Sequence, residues 1–479
     1  MQNWPSALRS TPFNLFGLCH TAIPSPLFEP LSQSLSGRQR ARLLRQWHEL
    51  AVKHSSDLSL LITLENGKSL ADSKGEVTYA AGFIEWVSEE APRIYGHVLP
   101  LTAAGNQVIS VKEPIGVCVL ITPQMEFPCG HGYKVRLPPA WLHHPFVLRM
   151  TRKVGAALAA GCTVVIKSPE ETPFTVNALV ELARKAGIPP GVINVVTAKQ
   201  NTEEVGLTLT TSASVHKVSF SGSTRVGKLL MRHCAEGTLK KISLELGGNA
   251  PFIVFDDADI DNAINAALVC KFRCTGQTCI AANNIYVQNR IYDEFASKLA
   301  ERVRNEFIIG NGLNTNVAHG PLLHSRAVDK VQAQVDDALG KSGRVLVGGN
   351  KMSELGPNFF EPTVITDLTT AMQLAKEETF RPIATLFRFS TENEVIKLAN
   401  GTDMGLSAYI FSQDFQRVWR TSTGLDAGMV GVNIGSISDP SSPFGGIKSS
   451  GFGREGSKYG IDKYVVVKAI VLSGLGMSP

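Results

Sequence analysis

The chain has 479 residues, 43% of them apolar and 19% charged, enough for two or three domains with sizeable cores. Lys and Arg outnumber Asp and Glu by only 47 to 42, with no run of five like charges, which excludes a nucleic-acid-binding tail. The longest apolar stretches, around residues 154–166 and 115–121, fall short of the ~20 residues a membrane span needs. The reading is a soluble globular protein with neither a nucleic-acid nor a membrane partner. Eight cysteines without a CxxC pair, and no His pair at zinc spacing, predict reduced thiols and no metal site. The first 28 residues lack Asp and Glu but carry one Arg and four prolines, a poor transit peptide. The compartment is therefore read as cytoplasmic or mitochondrial.

Residues 1–36 are Pro- and Ser-rich and aperiodic, an irregular segment. From Gly37, Leu43, Leu44, Trp47, Leu50 and Ala51 fall on one helical face, and a second helix is expected over 69–94. Strands are predicted at 117–122, 163–166, 192–196 and 215–220, and helices at 151–160, 174–186 and 223–234. That alternation predicts parallel βαβ units, hence an α/β domain. A similar alternation over 251–412 predicts a second, and 463–471 reads as a strand that pairs outside its own domain. Residues 124–150 stand apart, with four prolines, three histidines and no period. An unstructured loop of that length is uncommon in a compact domain, so the segment is either a functional elaboration or foreign to the fold.

Two nucleotide patterns nearly match. Gly451-Phe-Gly-Arg-Glu-Gly456 satisfies GxGxxG, but a loop is expected before it and a strand after, the reverse of the dinucleotide fingerprint. Gly222-Ser-Thr-Arg-Val-Gly-Lys228 resembles a phosphate-binding loop, yet Leu229 replaces the hydroxyl that ligates magnesium. Phe220-Ser-Gly-Ser-Thr ends a strand and opens a helix; the helix start either meets an anion or is an ordinary tight turn.

Cys279, in Thr275-Gly-Gln-Thr-Cys279, lies on a Gly-containing turn where a thiol is either a nucleophile or a packing residue. Glu245, in Ser243-Leu-Glu-Leu-Gly-Gly248, ends a strand. There it is either a partly buried carboxylate with the raised pKa of a general base or a solvated one.

Together these segments, with Glu377-Glu-Thr-Phe and Pro443-Phe-Gly-Gly-Ile-Lys-Ser-Ser-Gly, resemble the aldehyde dehydrogenase superfamily from about Gly37 to the C-terminus. The subgroup they are most similar to is succinate-semialdehyde dehydrogenase. The resemblance implies an aldehyde dehydrogenase-like α/β fold, with a Rossmann-type NAD(P)-binding domain (37–97 and 115–245) and a catalytic domain (246–447). An oligomerisation element (98–114 and 460–479) would make a homodimer or homotetramer. It implies Cys279 as nucleophile and Glu245 as the base that hydrolyses the thioester. Lys167 and Glu170 would meet the adenosine ribose, Ser223 the pyrophosphate, and Glu378 and Phe380 the nicotinamide ribose and ring. Arg152, Arg273 and Ser438 would hold the carboxylate of a small semialdehyde, a sensible task for guanidinium and hydroxyl groups. A carboxylate at Glu170 favours NAD over NADP, with Lys167 able to offset it.

The chain also departs from that family. Residues 124–150 contain no Asn, although the family places an oxyanion-hole Asn there in a segment of about eight residues reading Pro-Trp-Asn-Phe-Pro. Arg381 follows Phe380 where the family has Gly, and either crowds the nicotinamide site or points to solvent. Ser168-Pro169 inverts the family order, and Ala281 replaces a second cysteine of some members. Three readings stay open: a succinate-semialdehyde dehydrogenase, a dehydrogenase of another aldehyde, and a catalytically impaired relative.

Overall fold

The structure is a computed structural model that describes residues 35–101, 106–122 and 147–473. The irregular reading of 1–34 and most of the 124–150 segment lie outside the described residues. Helix α1 (Gly37–Lys53) starts at Ser36, whose side chain and that of Gln39 cap each other's backbone N–H groups. Such a reciprocal cap satisfies two otherwise orphaned donors. Leu44, Trp47 and Ala51 form its buried stripe, and Trp47 Nε1 donates to Leu179 O at 3.0 Å. Helix α2 (Ser55–Asn66) ends at Gly67 in the left-handed conformation, and α3 (Leu70–Glu90) begins after the cap Ser69.

Strand β1 (His97–Pro100) pairs antiparallel with β2 (Gln107–Pro114). Next come β3 (Val117–Ile121), α4 (Val147–Ala160), β4 (Thr163–Ser168), α5 (Pro173–Lys185), β5 (Ile193–Thr197), α6 (Thr202–Thr211), β6 (Lys217–Ser221), α7 (Thr224–Glu236) and β7 (Lys241–Glu245). Strands β7-β6-β3-β4-β5 form a parallel sheet. Every residue of β3 is buried, the continuous apolar run expected of a strand covered on both faces. Helices α1–α5 pack into one core with β3 and β4.

A second sheet follows, built on β8 (Ala250–Val254) and β9 (Ala282–Gln288), with α8 (Ile260–Phe272) between them. Its seven strands are parallel except for one antiparallel edge, over residues 344–347. The two predicted α/β units are thus both present.

The C-terminal stretch returns to the first unit before it reaches the strand read over 463–471. Gly451–Phe452 pairs antiparallel with β7, placing Gly451 opposite Glu245 and adding a sixth strand to the first sheet. A six-residue helix (Ser457–Asp462) follows the Gly451–Gly456 motif, so a helix, not the expected strand, comes next. Ile461, Tyr464 and Val465 are buried in the first core. Only then does the final strand, Val465–Leu472, pair with β2.

Candidate active site

Helix α8 ends in a turn of unusual geometry. Cys274, Thr275 and Gly276 have φ of 52°, 56° and 70°. For the two non-glycine residues this left-handed conformation costs about 1–3 kcal/mol each unless surrounding contacts impose it. Several contacts do. Cys274 N donates to Asp72 Oδ2 at 3.1 Å, Gln277 N to Cys274 O at 3.1 Å, and Leu323 N to Gln277 Oε1 at 3.1 Å. A Cβ on Gly276 would sit 2.4 Å from Arg381 O, so only glycine fits there. Past this turn, Cys279 packs beside Ile280, Leu406, Met429 and Phe444. Its carbonyl abuts the turn after Glu245, where a Cβ on Gly248 would stand 2.4 Å from Cys279 O.

Glu245 ends β7 and is buried, which decides between the two readings of a strand-end carboxylate. Neither carboxylate oxygen has a hydrogen-bond partner among the described residues. Burial first, and then the neighbouring Glu455, push its pKa well above the carboxylate range, against the opposing charges of Lys153, Arg152 and Arg454. Glu455 itself is held by a short contact from Lys153 Nζ and lies 3.6 Å from Arg152 Nη1. Lys153 also donates to Ser219 Oγ at 3.2 Å.

Arg152 is buried with its guanidinium 3.9 Å from the Phe444 ring centroid and within 5.2 Å of Tyr79 and 5.0 Å of Phe83. Arg152 Nη2 donates to Ser438 Oγ at 2.8 Å and to Tyr79 Oη, and Tyr79 Oη also meets Ser438 Oγ. Among the charges that act on Arg152 is Cys279, and Arg152 acts in turn on Glu245. Of the expected carboxylate contacts, Arg152 and Ser438 are therefore brought together. Arg273 is exposed at the start of the left-handed turn.

The remaining expected residues gather at the carboxyl ends of the first sheet and beside Cys279. Lys167 is buried in β4, and burial lowers its pKa to about 8. Glu170 Oε2 is buried without a hydrogen-bond partner among the described residues, while Oε1 lies 3.7 Å from Lys199 Nζ. Ser223 caps α7, accepting from Val226 N at 3.4 Å. Glu378 Oε1 accepts from Gly248 N at 3.1 Å, tying it to the turn that Cys279 abuts, and Phe380 has φ 52°. Arg381 does not reach solvent: it is 4% exposed, and burial lowers its pKa to about 10 against the attraction of Glu378. Lys228 is exposed on α7, unlike a phosphate-gripping lysine.

Tyr79, Lys153, Phe444 and Glu455 were not singled out from the sequence. Phe444 lies inside a quoted motif, Lys153 directly follows Arg152, and Glu455 sits within the rejected GxGxxG. Tyr79 carries no local signal. Among the described residues no three His, Cys, Asp or Glu side chains form a metal-binding group, no helix is long and apolar enough to cross a membrane, and no cysteine is in a disulfide.

The aldehyde dehydrogenase family model matches residues 28–132 and 143–470, and the chain belongs to this family. The match begins before Gly37 and breaks only at 133–142, a narrower interruption than the 124–150 read from the sequence. Succinate-semialdehyde dehydrogenase [NADP(+)] 1 of Schizosaccharomyces pombe is 50% identical over 91% of this chain and 84% of its own length. A glutarate-semialdehyde dehydrogenase of Pseudomonas putida is 49% identical over 93% and 87%. The crystal structure of succinate-semialdehyde dehydrogenase from Burkholderia pseudomallei superposes with a TM-score of 0.85 at 46% identity, covering 92% of this chain and 86% of that one.

Proposed function

We propose that the chain oxidises a semialdehyde bearing a terminal carboxylate, succinate semialdehyde foremost, to the diacid, with Cys279 as nucleophile and Glu245 as general base. The observation that carries this reading is the buried Glu245 carboxylate, without a hydrogen-bond partner among the described residues, just before the turn that the Cys279 carbonyl abuts. Cys279 attacks the aldehyde carbon as a thiolate and forms a hemithioacetal. Arg152, Tyr79 and Ser438, with Arg273, hold the distal carboxylate and so align the carbonyl with the thiol. A nicotinamide dinucleotide, when bound, supplies the acceptor for the hydride that turns the hemithioacetal into a thioester. Glu245 then takes a proton from water, which attacks the thioester and frees the acid.

The residues present suit such a dinucleotide. Glu170 Oε2 is an orphaned buried acceptor, of the kind a ribose hydroxyl satisfies, and the start of α7 offers N–H groups to a pyrophosphate. Lys199 beside Glu170 offsets the carboxylate charge that favoured NAD. With the S. pombe relative named for NADP(+), either form is accommodated and NADP is the better candidate. The exposed side chains Val98, Val467 and Val471 on the β1–β2 sheet support assembly of identical subunits through it.

The direct test follows dinucleotide reduction at 340 nm with succinate semialdehyde, glutarate semialdehyde and butanal. Turnover is expected with the acidic aldehydes and is lost in C279S; turnover that survives alkylation of Cys279 overturns the reading. A second reading, an impaired enzyme, is favoured by the absence of Asn from residues 124–150. Loss of one oxyanion donor costs roughly 10²–10³ in turnover. Exchange of 124–150 for the family's short Pro-Trp-Asn-Phe-Pro segment raises kcat by that factor if this reading holds.

A further inference from the structure

Three separate segments meet at the turn that carries Arg273. The corner between α2 and α3, residues 67–69, is pressed against Gly312 and Gly320, where a Cβ would stand 2.1 Å from Lys68 O and from Gly67 O respectively. Leu70 N donates to Gly312 O at 3.0 Å, and Thr275 Oγ1 to Gly320 O at 3.4 Å. Helix α3 therefore starts at a fixed place beside the left-handed turn. Its first turn projects Asp72, whose own N–H is taken by the Ser69 cap at 3.1 Å. The side chain of Asp72 reaches across to Cys274 N.

Burial raises the pKa of Asp72, against the pull of its neighbours. Lys68 and Arg273 attract its carboxylate, while Glu76, joined to Lys68 in a buried ion pair, repels it. Asp72 is thus bound to the backbone of the residue after Arg273. On the other side of the turn the Gln277 side chain bonds to Leu323 N and Pro321 O. This second anchor holds the path to Cys279 without help from Asp72.

We propose that Asp72 is a positioning residue for Arg273, fixing the left-handed turn from the α3 side so that the guanidinium faces the substrate carboxylate. The proposal rests on the reading of Arg273 as a carboxylate contact. Without the Asp72 anchor the turn loses a contact that imposes its positive φ angles, and Arg273 swings with it, while the thiol stays in place.

The test compares D72A with D72N, whose amide oxygen still accepts the Cys274 N–H. KM for succinate semialdehyde is expected to rise roughly tenfold in D72A, the size of one lost charge-assisted hydrogen bond. KM for butanal, which has no carboxylate, and kcat stay within about a factor of two. D72N restores the wild-type KM. In parallel, the rate at which phenylglyoxal modifies Arg273, read by peptide mass spectrometry, changes several-fold in D72A and not in D72N. Equal KM rises for both aldehydes, or an unchanged phenylglyoxal rate, overturn the proposal. If R273L leaves the succinate-semialdehyde KM unaltered, the carboxylate-contact reading fails, and the phenylglyoxal rate still decides whether Asp72 positions Arg273.

Discussion

The Arg152 guanidinium lies 3.9 Å from the Phe444 ring centroid, and that ring belongs to the apolar cluster against which Cys279 packs. A cation over an aromatic face in a desolvated site is worth about 0.5–2 kcal/mol.

In F444L, KM for succinate semialdehyde should rise roughly 3- to 30-fold as that contact is lost. Butanal kinetics, measured beside it, should move far less.

Glu245 makes a pH prediction. A general base works only when deprotonated, and burial with the Glu455 charge holds its pKa well above the ordinary value. The kcat profile should therefore climb with pH on one ionisation above the carboxylate range. E245Q should lower steady-state kcat about 10²–10⁴-fold while a burst of reduced dinucleotide persists in stopped flow, because water attack and not acylation is blocked. The linkage has the opposite sense for stability. A raised folded pKa means that native protein is penalised as pH rises through and above the unfolded value, so E245Q should melt higher than wild type at neutral pH.

His319 titrates in the other direction. It is buried between Phe272 and Phe307, with ring centroids 6.1 and 4.4 Å away, and burial lowers its pKa to about 4. Unfolded chain takes up a proton near pH 6.5, whereas native chain does not until about pH 4, so stability falls as pH drops through this window. The loss should reach about 2 kcal/mol at pH 5. Urea unfolding at pH 7 and 5 should show it in wild type and not in H319F.

Arg381 is a buried cation whose Nε lacks a partner among the described residues and whose Nη1 donates to Phe380 O at 2.6 Å. Its attraction to Glu378 competes with the Gly248 N–H for that carboxylate. R381G should lower the dinucleotide Kd about 3- to 10-fold, a gain of about 1 kcal/mol, measured by fluorescence titration. An unchanged Kd would mean that the guanidinium leaves Glu378 undisturbed.

Cys279 and Glu245 were legible because each sits in a short motif whose residue types serve chemistry or a tight turn. Ser223 was legible because a strand–turn–helix junction has a local pattern. Tyr79 was not: it lies on α3, whose positions read only as a buried or exposed face, and its partners Arg152 and Ser438 are distant in sequence. Glu455 was hidden in a glycine motif with the wrong context. The strand at Gly451–Phe452 is too short to carry a period of two. Arg381 was visible as an anomaly, but its burial is a tertiary property that no local pattern encodes.

The pairing of Gly451 with Glu245 has a consequence for biogenesis. A nascent chain emerging from the ribosome has every parallel strand of the first sheet by residue 245, yet β7 stays an open edge until roughly two hundred further residues are made. An uncovered edge recruits foreign strands, so in the interval this half of the molecule is open to wrong pairing that the late C-terminal stretch closes off.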